Sequence, residues 1–316
     1  MYEVVVTARS FGKGNDAPIK LLESSKCRVK KISTESALTS NELIEYIENA
    51  DAVIAGLDDF SAEVINAGKK LKVISRYGVG YDKVDIDEAT KKGIAVTVTP
   101  GANENSVADL AVGAMLACAR HIPQMDQQIK NNKEGRALGF ELWGKTCGII
   151  GTGRIGRGVI KRLSGFNMRF LCHDKYPNEE LTEEYDIKYC ELEELLSESD
   201  FISIHCPLTV ETRNMIGEKQ LKMMKNSAVI VNTARGGIID EDALYHALKG
   251  GIVAAAALDA TLQEPSFDSP LLTLQNCLIT PHIGGYTMDA VLNMGMLAAQ
   301  NVINILEDKK CPHKIN

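Results

Sequence analysis

The chain lacks several features that would place it in a specialised class. Its eight cysteines (27, 118, 147, 172, 190, 206, 277 and 311) form no C-x-x-C pair and follow no regular spacing. This argues against a zinc ribbon or a disulfide framework. Cys147, Cys172, Cys206 and Cys277 lie in apolar runs and read as buried, reduced thiols, so a cytoplasmic setting and no metal site are expected. Lys and Arg nowhere cluster and the net charge is −7, which excludes a nucleic-acid-binding or membrane-surface face. No stretch approaches the roughly 20 apolar residues needed to span a bilayer. The start, Met1-Tyr-Glu-Val-Val-Val-Thr, reads as a strand rather than as a secretory leader. Internal repeats and low-complexity linkers are absent too.

What is present is an ordinary globular composition, 45% hydrophobic and 24% charged over 316 residues, long enough for two domains. Strand-like and helix-like segments alternate throughout, as in parallel sheets flanked by helices. The first part offers strands at Val4–Thr7, Cys27–Ile32, Ala52–Ala55, Val73–Ser75 and Ala95–Val98, with helical patterns near 17–24, 40–49, 61–68 and 86–92. Five such units suggest a flavodoxin-like domain. After Thr99-Pro100-Gly101 an Ala-rich run, Ser106 to Arg120, predicts a buried helix with Ser106 and Asp109 available as a capping box. An irregular stretch, 121–145, follows and holds the only tryptophan, Trp143. Six further strands are expected at Thr146–Ile150, Arg169–His173, Phe201–Ile204, Ala228–Asn232, Ala254–Leu258 and Cys277–Thr280. A last helix, near Asp289 to Asp308, is long enough to return to the first domain. The expected architecture is α/β: a Rossmann-type doubly wound domain (99–284) inserted into a flavodoxin-like domain made of 1–98 and 285–316.

The central segment carries the strongest motif. Cys147-Gly-Ile-Ile-Gly-Thr-Gly-Arg-Ile-Gly is an apolar strand running into Gly151-x-Gly153-x-x-Gly156, and the next strand ends at Asp174, 18 residues past Gly156. Leaving a strand, opening a helix and meeting an acid at this distance is the dinucleotide-binding pattern. Gly151 permits the tight turn, Gly153 lets backbone approach a pyrophosphate, and Gly156 lets helix pack on strand. Arg154 and Ile155 open the helix, whose N-terminus favours an anion. Asp174 accepts ribose hydroxyls and repels a 2′-phosphate, favouring NAD over NADP.

Three charged residues stand at the ends of later strands, where open α/β sheets bind ligands. Arg235 follows Val-Ile-Val-Asn-Thr-Ala and precedes Gly236-Gly237; Glu264 follows Leu-Asp-Ala-Thr-Leu-Gln; His282 follows Leu-Ile-Thr-Pro. Taken singly they read as a turn arginine, a solvated acid and a packed histidine. Together with the fingerprint they form a chemical set. Histidine titrates near neutrality and suits proton transfer coupled to hydride transfer, a carboxylate beside it orients it, and an arginine offers a fork to a substrate carboxylate.

The stretches Arg76-Tyr-Gly-Val-Gly-Tyr-Asp, Pro-Gly-Ala-Asn-Glu-Asn-Ser-Val-Ala-Asp, Gly-Ile-Ile-Gly-Thr-Gly-Arg-Ile-Gly, His205-Cys-Pro-Leu-Thr, Asn-Thr-Ala-Arg-Gly-Gly-Ile-Ile-Asp and Pro-His-Ile-Gly-Gly-Tyr-Thr resemble the D-isomer-specific 2-hydroxyacid dehydrogenases. The phosphoglycerate dehydrogenase branch is the most similar, and the likeness covers essentially the whole chain. It implies that Arg235 binds the substrate carboxylate, that His282 moves the proton and that Glu264 orients His282. It implies that Asp259 holds the nicotinamide carboxamide, with Pro207 and Thr233 also lining the NAD site. Val79 and Gly80 match a loop whose backbone N–H groups clasp the substrate, with Arg76 beside it. It further implies hydride transfer in a cleft between domains and a homodimer reached through 106–120 and 121–145.

Departures concern the substrate. After Asp259 the family usually carries Val-Phe-Glu, whereas this chain has Ala260-Thr261-Leu262. The loop after the third strand, Ala55-Gly-Leu-Asp-Asp-Phe-Ser, holds two acids where phosphoglycerate enzymes often carry a phosphate-binding arginine. Arg9 or Lys13, in the neighbouring first loop, either replaces that arginine or is simply solvated. The regulatory domain of longer phosphoglycerate enzymes is not expected, nor is its feedback control. The alternatives are a hydroxypyruvate or glyoxylate reductase using the same trio, and a non-catalytic NAD-sensing protein on the same fold.

Overall fold

Valine, isoleucine and alanine dominate the strands, and seven of those described are buried along their whole length, as a parallel sheet covered by helices requires. The computed structural model describes residues 1–34 and 37–316. The chain divides into two units, one of Met1–Asn103 and Gly285–Asn316, the other Glu104–Gly284.

The first unit holds β1 (Tyr2–Val6), β2 (Cys27–Lys31), β3 (Ala52–Ala55), β4 (Val73–Arg76) and β5 (Ala95–Thr97), all parallel, in the order β2-β1-β3-β4-β5. This is the flavodoxin-like order. β1 and β3 are neighbours, so the loops that follow them lie side by side: the Gly56 N–H donates to Thr7 Oγ1 at 3.1 Å. One sheet face is covered by the helix Met288–Leu306, whose Ala298, Ala299, Val302, Ile303 and Leu306 pack with Val4, Val6, Ile54 and Val73.

The second unit carries β6 (Thr146–Ile150), β7 (Arg169–His173), β8 (Ile187–Tyr189), β9 (Phe201–Ile204), β10 (Val229–Asn232), β11 (Ala255–Leu258) and β12 (Cys277–Ile279). Their order is β12-β11-β10-β9-β6-β7-β8, which reverses between β6 and β9. That reversal is the switch point at which open sheets bind ligands. The helix Arg154–Leu163 follows β6 and buries Gly156, Val159, Ile160 and Leu163, one stripe at helical spacing.

Three sequence expectations are corrected. The sheet has seven strands, not six, because β8 joins its edge beside β7. β8 is three residues long and fully buries only Ile187, too little for a hydrophobic pattern to reveal. The Ala-rich helix spans Glu104–Ala119, so Ser106 lies inside it rather than capping it. The Ser106 hydroxyl donates to the Gly284 carbonyl at 2.6 Å, and Asp109 pairs with Arg162 at 2.5 Å. The stretch 121–145 contains a helix, Ile122–Lys130. Cys147 and Cys172 are buried and Cys206 and Cys277 half-buried, all free thiols. Among the described residues no helix is long and apolar enough to cross a membrane.

Candidate active site

The fingerprint glycines each answer to a different physical demand. Gly151 has φ +92, and a Cβ there would lie 2.7 Å from the backbone nitrogen of Cys206, so neither its turn nor its packing admits a side chain. A Cβ on Gly156 would stand 2.0 Å from the Gly151 carbonyl oxygen, which fixes how closely helix meets strand. At Gly153, by contrast, a Cβ would meet nothing within 4 Å. Gly153 is the N-cap of Arg154–Leu163, and no side chain caps that helix. Bare N–H groups facing open space are what a pyrophosphate needs. The residues present therefore fit a dinucleotide.

Asp174 lies just beyond β7. Its Oδ2 accepts the Thr152 N–H at 2.6 Å and the Thr152 hydroxyl at 3.0 Å, while Oδ1 accepts the Tyr176 N–H at 2.8 Å. Lys175 leans towards Glu211 at 3.5 Å, and His173 Nδ1 meets the Cys190 carbonyl at 3.1 Å. Pro207 accepts the Thr212 hydroxyl at 2.7 Å, a bond that folds the loop after β9 back on itself. His205 bonds Ser203 Oγ at 2.8 Å and approaches Thr233 Oγ1 at 3.4 Å. Desolvation pushes its imidazole down to about 3, so it is a neutral packing group at the end of the buried strand β9.

Arg235 is delivered by β10. The Asn232 side chain, 1% exposed, accepts the Ala234 N–H at 3.0 Å and donates to the Arg235 carbonyl at 2.8 Å, which sets the turn. Gly236 is required because a Cβ there would sit 2.1 Å from the Thr261 carbonyl. The acid closing that motif, Asp240, is a helix cap: its Oδ1 accepts the Asp242 and Ala243 N–H groups at 3.1 Å.

His282 and Glu264 come together. His282 Nδ1 lies 2.9 Å from both Glu264 oxygens, and each side chain is about one-quarter exposed. His282 has φ +52, a left-handed backbone held by bonds from its N–H to the carbonyls of Asp259 and Thr280 at 3.0 and 2.9 Å. Asp259, 5% exposed, completes the clamp: its carboxylate accepts Thr280 Oγ1 at 2.6 Å, the Ile283 N–H at 2.8 Å and the Gly284 N–H at 2.7 Å. Sequence reasoning missed this set of donors and also Glu241. The Glu241 carboxylate accepts the Leu262 N–H at 2.5 Å and so ties down the loop that carries Glu264. Burial raises the Glu241 carboxyl against the lowering effect of that bond, and the charges of Asp242 and Glu264 add to the rise.

In the first unit Arg76 is 4% exposed and donates through Nε to the Gly80 carbonyl at 3.0 Å and through Nη1 to the Ala55 carbonyl at 2.8 Å. It braces the loop that displays Val79, which is 40% exposed. Lys13 reaches Tyr286 Oη at 2.6 Å. Asp58 is buried and accepts the Leu38 N–H at 2.9 Å, so Asp59 is the exposed acid of that loop.

A sheet reversal, a glycine cradle at a helix N-terminus and a carboxylate at the next strand end define a nicotinamide-dinucleotide-binding α/β protein. The family model for the D-isomer specific 2-hydroxyacid dehydrogenase NAD binding domain matches residues 112–284. The chain belongs to the D-isomer-specific 2-hydroxyacid dehydrogenase family. It is 43% identical over 302 residues to a D-3-phosphoglycerate dehydrogenase of Methanocaldococcus jannaschii, covering 94% of this chain and 57% of that protein. It is 41% identical over 290 residues to a glyoxylate reductase of Korarchaeum cryptofilum, covering 89% and 87%. A hydroxypyruvate reductase of Thermotoga maritima is 43% identical over 279 residues, covering 86% and 90%. Among solved structures, TT0316 protein from Thermus thermophilus superposes with a TM-score of 0.90 at 35% identity, covering 99% and 100%. The chain spans just over half the length of the phosphoglycerate dehydrogenases it matches.

Proposed function

We propose that the protein is an NAD-dependent D-2-hydroxyacid dehydrogenase that interconverts a 2-oxo acid and its D-2-hydroxy acid. The observation that carries this reading is the His282–Glu264 pair at 2.9 Å, in the same unit as the glycine cradle. Gly151, Gly153, Arg154, Ile155 and Gly156 hold the pyrophosphate, Asp174 the ribose, and Pro207, Thr233 and Asp259 line the remaining cofactor site. The bound nicotinamide supplies or accepts the hydride. His282 gives its Nε2 proton to the oxo oxygen in reduction and takes it back in oxidation, while Glu264 fixes the ring from Nδ1. Arg235 pairs with the substrate carboxylate and polarises the neighbouring oxo group. In the first unit the backbone N–H groups of Val79 and Gly80 are further carboxylate donors, on a loop braced by Arg76.

The substrate reading that agrees best with the sequence motifs is 3-phosphoglycerate and its oxo acid, with Arg9 holding the phosphate. The absence of an arginine from the loop after β3, together with exposed Asp59, favours hydroxypyruvate or glyoxylate instead. NADH oxidation compared by kcat/KM on phosphohydroxypyruvate, hydroxypyruvate and glyoxylate separates the two. A strong preference for the phosphorylated acid supports the first reading, and a preference for either small acid supports the second. No turnover of any of them, with NADH still bound, would leave the NAD-sensing alternative. As a test of roles, His282→Ala abolishes turnover and leaves NADH binding nearly intact; near-full activity in that variant refutes the proton-transfer role.

The reading includes a homodimer. Ile122, Ile129, Leu138 and Trp143 are 54%, 68%, 97% and 63% exposed within one 22-residue stretch, an apolar surface suited to a second copy. Light scattering gives the mass, and Ile129→Glu with Leu138→Glu is expected to yield monomer.

A further inference from the structure

Cofactor choice rests on more than Asp174. A carboxylate only accepts hydrogen bonds, so the direction of every bond leading to it is fixed. The single Thr152 proton goes to Asp174 Oδ2 at 3.0 Å. Thr152 Oγ1 therefore accepts, and its donor is the Tyr189 hydroxyl at 3.0 Å. Having given its proton, Tyr189 Oη accepts the Asn178 N–H, again at 3.0 Å. The chain Asn178–Tyr189–Thr152–Asp174 thus runs one way, with each donor polarised by the next and all pointing at the anion. It starts in the loop after Asp174, passes through the last residue of β8 and through the fingerprint, where Thr152 is 5% exposed, and ends on Asp174. Three donors, the Thr152 N–H, the Thr152 hydroxyl and the Tyr176 N–H, occupy about three of the carboxylate's four acceptor positions. They leave it held in one orientation with about one acceptor position for a ribose hydroxyl.

We infer that Thr152 and Tyr189 are positioning residues for the selection of NAD over NADP. They hold the Asp174 carboxylate where it accepts a ribose hydroxyl and where a 2′-phosphate meets an anion that cannot turn away. This inference rests on the reading of Asp174 as the ribose acceptor. It gives β8, the strand that the hydrophobic pattern does not reveal, a part in ligand selection.

The test titrates NADH and NADPH into the wild type and the Asp174→Ala, Thr152→Val, Thr152→Ser and Tyr189→Phe variants by nucleotide fluorescence. It also records kcat and KM with each nucleotide. Thr152→Val should lower the NADH-over-NADPH affinity ratio roughly tenfold and Tyr189→Phe roughly threefold, the scale of single hydrogen bonds to a charged group. The change should fall on KM with kcat little altered, and Thr152→Ser, which keeps the hydroxyl, should restore the wild-type ratio. A merely structural loss would weaken both nucleotides alike and would not be rescued in the ratio by serine. If Asp174→Ala collapses the ratio while Thr152→Val and Tyr189→Phe leave it within twofold of wild type, the positioning role is wrong. If Asp174→Ala leaves the ratio unchanged, the ribose reading falls and this inference falls with it. Melting curves check folding, and should Thr152→Val not fold, the Tyr189→Phe and Thr152→Ser ratios decide alone.

Discussion

His282 meets Glu264 through Nδ1, 2.9 Å from each carboxylate oxygen, so the pair fixes one ring nitrogen and leaves Nε2 for chemistry. Glu264→Gln keeps the shape but replaces the carboxylate that meets Nδ1 with a neutral amide. The expected result is a fall in kcat of roughly 10- to 100-fold, with the KM for NADH nearly constant. A variant retaining more than half of the wild-type kcat would remove Glu264 from the proposed mechanism.

Asp259 holds up the loop beneath that pair. Its carboxylate takes two backbone N–H groups and a hydroxyl, and its carbonyl takes the His282 N–H. Asp259→Ala leaves the buried Gly284 N–H and the part-buried Ile283 N–H without an acceptor, at about 1–3 kcal/mol for the buried group and less for the other. Unfolding in urea should show a loss of about 2–4 kcal/mol, together with a drop in kcat because the Thr280 hydroxyl and the Ile283 and Gly284 N–H groups on either side of His282 lose their anchor. Unchanged stability would mean that the loop is held by other contacts.

Much of the fold was legible because it is written in continuous apolar runs. The strands on which both domains rest, and the fingerprint with its three glycines, could be read from hydrophobic runs and turn residues. The corrections came where that signal is weak or ambiguous. β8 is three residues at a sheet edge, and Ser106 resembles a cap in sequence but spends its hydroxyl on Gly284, 178 positions away. The charged ends of β10 and β11 were visible as candidates, yet the donors around Asp259 and the tether from Glu241 to Leu262 were not. Such partners lie about 20 or more residues apart and are brought together only by adjacent strands.

His205 makes the protein sensitive to acid. Its folded value, about 3, lies below the ordinary histidine value of 6.5, so the unfolded chain takes up a proton that the folded one refuses. Its contribution to stability is complete above pH 6.5 and is lost as the pH falls towards 3. Between pH 7 and 5 this amounts to about 1–2 kcal/mol. His205→Gln should flatten that part of the profile relative to wild type, as read by urea midpoints at pH 7, 6 and 5. Parallel profiles for the two proteins would show that His205 takes up its proton equally in the folded and unfolded chain, and its burial would then not oppose protonation.

Gly153 and Gly156 separate folding from cofactor binding within one motif. Alanine at 156 puts a methyl 2.0 Å from the Gly151 carbonyl, a clash with backbone that cannot rotate away. Gly156→Ala should therefore cost roughly 1–3 kcal/mol or more and lower the melting temperature whether or not NADH is present. Alanine at 153 meets nothing within 4 Å, and the φ of −64 there suits any residue. The apo protein should melt as wild type does. Its methyl, however, occupies the space through which a pyrophosphate reaches the helix N–H groups, so NADH affinity should fall at least tenfold. The contrast is decisive because the two substitutions are chemically identical and three residues apart. If Gly153→Ala bound NADH normally, the cradle at the start of Arg154–Leu163 would not be where the pyrophosphate sits.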